Sequence, residues 1–330
     1  MRTNVRFDSA GIQLAGHLYI PGDYPPGDYP PGDGPDGARP AIVVGHPGSG
    51  VKEQAAGLYA SRLAEQGFVT LAFDAAYQGE SGGTPRGLED PAHRVEDIKA
   101  AVSFLTTRPE ADPDRIGALG ICASGGYGLT AAATDHRIKA VAAVSAVDIA
   151  RQFRAGADGT QDPSVIQHML KAAAAARTAE AHGEPAATFS LFPDTEEEAR
   201  QGGPHVFAGW EYYCTPRAYH PRSAKAFTWS SVDRIVTFDA FAAVDLIAPR
   251  PLLMIVGREA VTSWMSVQAF QRALGPKELR WIDGAAHADL YDKEQYVGPA
   301  VTKLADFFTG NLALDSAPAQ AAGPAFPAAR

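Results

Sequence analysis

From Ala41 onward, short and almost wholly apolar runs alternate with stretches that carry a helical pattern. A strand that reads apolar at every position must be covered on both faces, which is the condition of a parallel sheet with crossover helices. The runs predict strands at 41–45, 69–73, 116–121, 141–146, 252–257 and 279–282, with helices near 54–66, 95–106, 126–133, 266–274 and 297–308. Ahead of them, residues 4–7 and 13–20 flank the turn Ser9-Ala10-Gly11 and predict an antiparallel pair at one edge of the sheet. The fold class expected is α/β, with a mostly parallel central sheet and helices on both faces.

Three stretches break the alternation. Gly22-Asp-Tyr-Pro-Pro returns at Gly27 and trails off at Gly32-Asp-Gly, a Pro/Gly-rich segment unable to form ladder hydrogen bonds and read as a lengthened surface loop. Residues 149–231 carry an alanine-rich helical stretch at 169–181 and an aromatic, proline-bearing stretch through Trp210-Glu-Tyr-Tyr-Cys-Thr-Pro216. This is an insertion rather than another strand-helix unit, and it is expected to form a helical cap. The core is then 1–148 and 232–312, and the breaker-rich tail 313–330 is expected to be disordered.

The densest chemical signal is Arg115-Ile-Gly-Ala-Leu-Gly-Ile-Cys-Ala-Ser-Gly-Gly126, which reads as a strand turning sharply into a helix with Cys122 at the apex. Such a nucleophile elbow needs small residues on both sides of the apex, and Gly120, Ser124 and Gly125 meet that need. An elbow centred on Ser124 would also have small flanks, Cys122 and Gly126, but it ends the apolar run 116–121 too early. A free cysteine is commonly just a small buried hydrophobe. The position of Cys122 at a strand end before a glycine pair argues instead for a nucleophile.

A thiol needs help to become the attacking thiolate. The helix starting near Ser124 offers its positive N-terminal end, and His287, in Asp283-Gly-Ala-Ala-His-Ala-Asp289 between the last strand and the last helix, is the candidate general base. A third member should orient the imidazole. Glu259, the carboxylate at the end of the strand after the insertion, is the first candidate, although it comes one residue before the usual place, and Asp148, on the preceding strand, is the alternative. The oxyanion donors expected are the N–H of Ala123 and that of Gly48 in His46-Pro-Gly-Ser-Gly50, since Pro47 has no N–H. From the insertion, Trp210 and Tyr213 are candidate substrate contacts. No CxxC, HxH or HExxH spacing occurs, so a metal site has little support.

The order nucleophile, acid, histidine on this strand pattern resembles the α/β-hydrolase superfamily. The segments 46–54, 73–81, 120–127 and 284–292 together resemble its dienelactone-hydrolase-like branch, which includes fungal polyketide transferases and thiohydrolases and bacterial relatives grouped with Xaa-Pro-dipeptidyl-peptidase-like hydrolases. The resemblance runs from Val5 to Phe308. It implies an ester, thioester or lactone hydrolase, or an acyltransferase, working through a covalent acyl-enzyme without a cofactor. The competing readings are a non-catalytic binding protein on the same fold and a peptidase, the latter disfavoured because an amine is a poor leaving group.

Composition narrows the partners. A net charge of -9 and the lack of any lysine or arginine cluster argue against nucleic acid or an anionic membrane. Two cysteines make no disulfide framework, and the first residues lack the apolar core of a signal peptide, so the cytoplasm is the expected compartment. The partner expected is a small-molecule acyl substrate, with a homodimer left open.

Overall fold

The computed structural model describes residues 1–22 and 32–313. Most of the Pro/Gly-rich repeat and nearly all of the tail fall outside the described residues. The strands in chain order are β1 (Arg2–Ser9), β2 (Ile12–Tyr19), β3 (Arg39–Gly45), β4 (Val69–Phe73), β5 (Ala111–Ile121), β6 (Ile138–Val144), β7 (Thr188–Ser190), β8 (Ala226–Thr228), β9 (Leu252–Gly257) and β10 (Lys277–Ile282). One eight-stranded sheet has the order β1-β2-β4-β3-β5-β6-β9-β10, antiparallel at β1/β2 and β2/β4 and parallel from there on. The expected edge pair and parallel core are both present. The short β7 and β8 pair with each other elsewhere.

Helices cover both faces of this sheet. On one side lie α1 (Ala55–Glu65) and α11 (Glu294–Asn311), sharing a core with Ile42 and Val44; on the other, α2 (Pro91–Leu105) and α3 (Ala123–Thr134), sharing a core with Ala41 and Val43. Successive side chains of a strand point to opposite faces, so an unbroken apolar run feeds two cores at once. The chain is an α/β hydrolase in its fold.

Between β6 and β9 the chain carries α4 (Ile149–Ala155), α5 (Pro163–Ala181), α6 (Glu196–Gln201) and α7 (Pro204–Cys214) within 149–231, and α8 (Val232–Val236) directly after it. After β9 come α9 (Ser263–Arg272) and, past β10, the one-turn α10 (Asp289–Asp292). Among the described residues no helix is long and apolar enough to cross a membrane.

The topology decides where chemistry can gather. β5 lies between β3 and β6 in the middle of the sheet, so its C-terminal end adjoins the loop after β3, and the loops after β9 and β10 open on the same edge. In open parallel sheets the C-terminal strand ends form the ligand crevice.

Candidate active site

Cys122 sits at the apex between β5 and α3 with φ 56° and ψ -119°, a region that non-glycine residues rarely occupy. The turn is tight enough that a Cβ on Gly120 would lie 1.9 Å from the Ser124 carbonyl oxygen, and one on Gly125 2.8 Å from Ala146. This crowding explains the small residues flanking the apex. Ser124 is inside the first turn of α3, and its hydroxyl donates to the His46 carbonyl at 2.6 Å. It holds the elbow to the neighbouring loop, and the apex belongs to Cys122.

That neighbouring loop, His46 to Gly50, is braced from beneath. His46 Nδ1 lies 2.7 Å from the Pro47 carbonyl, and its Nε2 receives the Ala75 N–H at 3.1 Å. The imidazole is therefore neutral, and burial, then Arg94, holds its pKa well below the ordinary value. Arg94 itself is buried and donates to both the His46 carbonyl (2.8 Å) and the Ser124 hydroxyl (3.0 Å), tying loop to elbow. The result is that Gly48, Ala123 and Cys122 meet at one end of the same cavity, where the N–H groups of Gly48 and Ala123 favour the thiolate. The two expected oxyanion donors thus share one cavity.

His287 lines the same cavity as Cys122. Its Nδ1 lies 2.6 Å from the Thr262 hydroxyl, in the loop after β9, and its Nε2 lies 2.8 Å from the Tyr291 hydroxyl. Tyr291 lines the same cavity as Cys122, and its hydroxyl acts on the thiol, favouring the thiolate. A chain therefore runs Cys122, Tyr291, His287, Thr262. Burial, then the neighbouring His205, lowers the His287 pKa to about 3, while burial pushes the Cys122 thiol up against the opposing hydrogen bonds from Tyr291, Ala123 and Gly48. At neutral pH the resting pair is thiol and neutral imidazole.

Neither expected carboxylate reaches the imidazole. Glu259 is exposed, and its backbone N–H bonds to the Ala285 carbonyl, joining the two loops while the side chain faces solvent. Asp148 is fully buried but is spent on the N-terminus of α4, accepting from Ala150 N (2.9 Å) and Arg151 N (3.3 Å) and pairing with Arg151 Nε at 3.0 Å. The place of the acid is taken by Thr262, three residues past Glu259, which nothing in the residue type marks.

Above the sulfur lies a cavity of about 440 Å³ whose walls come from the elbow, the His287 loop and the insertion. Ile149, Phe153, Phe189, Phe192 and Phe227 are among its apolar lining, and Gln152, Gln161 and His205 add polar groups. Among the described residues, no Asp, Glu, Lys or Arg lines it. Tyr213 lines it as expected, and Trp210 does not. On α7 the residues Val206, Gly209 and Tyr213 recur at helical spacing and face the cavity, so Trp210, one residue beyond Gly209, turns away and stacks on Phe207 with ring centroids 6.2 Å apart. Among the described residues no group of His, Cys, Asp and Glu is gathered as a metal would require.

Known proteins share this architecture. Residues 33–183 match the dienelactone hydrolase family. The uncharacterised protein YcjY of Escherichia coli is 44% identical over 82% of this chain and 89% of its own length. The crystal structure of the hypothetical protein PA2218 of Pseudomonas aeruginosa superposes with a TM-score of 0.84 at 35% identity, covering 94% of each chain. The thiohydrolase aneE of Aspergillus aculeatus is 27% identical over 84% of this chain and 88% of its own.

Proposed function

Because the chain belongs to the dienelactone hydrolase family, a branch of hydrolases and related acyltransferases, we propose that it cleaves thioesters, activated esters or lactones of uncharged acyl groups through an acyl-Cys122 intermediate. The observation that carries this reading is that one strained cysteine shares an uncharged cavity with the backbone of Gly48 and Ala123 and with a tyrosine hydroxyl linked to an imidazole.

The sulfur bonds to the acyl carbon as its proton leaves toward His287, and the carbonyl oxygen becomes an oxyanion that takes over the N–H groups of Gly48 and Ala123. Collapse breaks the bond to the leaving group, which departs with the proton from the imidazolium. Water or another acceptor then attacks the acyl-cysteine by the same route in reverse, and the sulfur regains its proton. Thr262 accepts from Nδ1–H, which keeps Nε2 open as the basic nitrogen. Since Thr262 is neutral, it stabilises the imidazolium less than a carboxylate would.

The cavity supports a neutral substrate. A carboxylate placed on the acyl chain would lose its hydration with no cation to replace it, a cost of several kcal/mol (about 2–7 for even an unpaired neutral polar group). Nor does a carboxylate line the cavity to hold a substrate amino terminus, so peptides find no support. The residues 149–231 act in this reading as a cap that shapes the acyl site.

The test is kcat/KM on a matched acyl thioester, aryl ester and ethyl ester, with Cys122→Ala alongside. A thiolate that attacks an alkyl ester is itself the better leaving group and tends to be expelled backwards, so the expected order is thioester, aryl ester, ethyl ester, with the variant inactive on all three. Equal rates on the ethyl ester, or an active Cys122→Ala, would contradict the proposal.

A further inference from the structure

We propose that Tyr291 is a catalytic proton relay, its hydroxyl accepting the Cys122 thiol proton while passing its own proton to His287 Nε2. The inference rests on the acyl-Cys122 reading above and adds the residue through which the base acts. Both nitrogens of His287 are engaged, Nδ1 with Thr262 at 2.6 Å and Nε2 with Tyr291 at 2.8 Å, and Tyr291 shares the cavity wall with Cys122, on whose thiol its hydroxyl acts. With Nε2 engaged by that oxygen, the proton of Cys122 reaches the imidazole across it.

The hydroxyl is held in place on every side. Tyr291 is 3% exposed, sits one helical turn after His287 with its ring edge-on to the imidazole at 5.5 Å, and is edge-on to Tyr212 at 5.0 Å. Tyr212 is anchored in turn, since its hydroxyl receives the Ala55 N–H at 3.0 Å. A ring serving only to fill this space would do so as phenylalanine, without burying a polar atom.

The balance of the step is complete. The S–H bond breaks as the Oη–H bond forms, the original Oη–H breaks as Nε2–H forms, and the sulfur electron pair goes to the acyl carbon. Tyr291 is a neutral phenol before and after. Burial and the nearby Cys122 sulfur hold its own ionisation well above the ordinary range, so a free tyrosinate is not a stopping point and the two protons move together. The groups facing this path are His205, Tyr212 and Tyr213 from α7, the thiol itself, and Arg94 of α2, whose field reaches the thiol and Tyr213.

The experiment is the single-turnover acylation rate of wild type and Tyr291→Phe, measured with an aryl thioester from pH 5 to 9. For wild type the rate should be nearly flat, because His287 is already neutral throughout. For Tyr291→Phe it should fall by about 100-fold at pH 7, the scale of general-base catalysis, and climb tenfold per pH unit as hydroxide does the relay's work. A variant as fast as wild type, or slower with an unchanged flat profile, would overturn the relay and leave Tyr291 a packing residue. Should the variant not fold, the wild-type rate in mixtures of H2O and D2O decides: two protons in flight give a curved dependence on deuterium fraction, and a straight line overturns the proposal. Failure of the acyl-cysteine reading itself is told apart by Cys122→Ala, which would then keep its activity.

Discussion

The hydroxyl of Thr262 lies 2.6 Å from Nδ1 of His287, where acyl-transfer enzymes commonly carry a carboxylate. A neutral partner can fix the ring and its tautomer, but it lends the imidazolium no opposite charge. In the proposed mechanism the base is accordingly weak, and ionisation of the thiol accompanies attack on the substrate instead of preceding it.

Removing that hydroxyl should matter where removing the exposed carboxylate does not. Thr262→Val should lower kcat/KM about tenfold, the worth of one buried hydrogen bond at about 1–1.5 kcal/mol. Glu259→Gln should stay near wild type. Asp148→Ala should destabilise the fold by about 1–2 kcal/mol through the lost cap of α4, measured by denaturant unfolding, with kcat/KM of the folded protein little changed. A large loss of kcat/KM in Glu259→Gln would restore the carboxylate to the mechanism.

Selectivity should follow the cavity walls. Phe189→Ala and Tyr213→Ala should shift the ranking of short, long and aromatic acyl thioesters, whereas Trp210→Ala should change stability alone. The same panel should show an ω-carboxylated acyl group turned over at least about 100-fold more slowly than its neutral counterpart, a loss of about 3 kcal/mol from an unpaired charge. Equal rates for the two would mean that the acyl chain lies outside the cavity.

The elbow leaves no room for a methyl group at its base. Gly120→Ala would bring a Cβ to 1.9 Å from the Ser124 carbonyl oxygen, so the variant should be insoluble or destabilised by at least about 3 kcal/mol. Thermal melting of the purified protein, or its absence from the soluble fraction, reads this directly.

Acid should weaken the fold. His17, His46 and His287 are all held below the ordinary 6.5 chiefly by burial, to about 4, well below it, and about 3 respectively. Between pH 6.5 and 4 the unfolded chain binds protons there that the native chain refuses, so stability is complete above 6.5 and drops as pH falls, by up to about 1.4 kcal/mol per pH unit for each histidine. Buried Asp74 and Asp97, held above their usual range by burial, act in the opposite sense and offset part of the loss at the acid end. The urea midpoint should be clearly lower at pH 5.0 than at 7.5, and a midpoint equal or higher at 5.0 would contradict these histidine assignments.

Much of this was legible in the residues because it follows from local constraint. Strands buried on both faces read as apolar runs, and β4 and β9 fall on the predicted limits. A strained apex demands small neighbours, which made the position of Cys122 between β5 and α3 readable. What escaped was decided by direction and not by residue type. Thr262 carries no charge to mark it, and Glu259, at a strand end, looked like an acid until the backbone turned it to solvent. Tyr291 was within reach, since it follows His287 by four residues and a helical turn brings such pairs together. Trp210 was drawn in by its size, though the phase of α7 turns it away.

The central claim is that an acyl group rests on Cys122. Intact-protein and peptide mass spectrometry after extended incubation of His287→Ala with a neutral aryl thioester tests it most directly, because without the base thiol–thioester exchange still proceeds slowly while hydrolysis of the acyl-cysteine is slower yet, so the acyl-enzyme should accumulate. The account expects one added acyl mass on the peptide holding Cys122, absent from the double variant Cys122→Ala/His287→Ala. An adduct on Ser124, or full turnover in Cys122→Ala with no adduct anywhere, would contradict it.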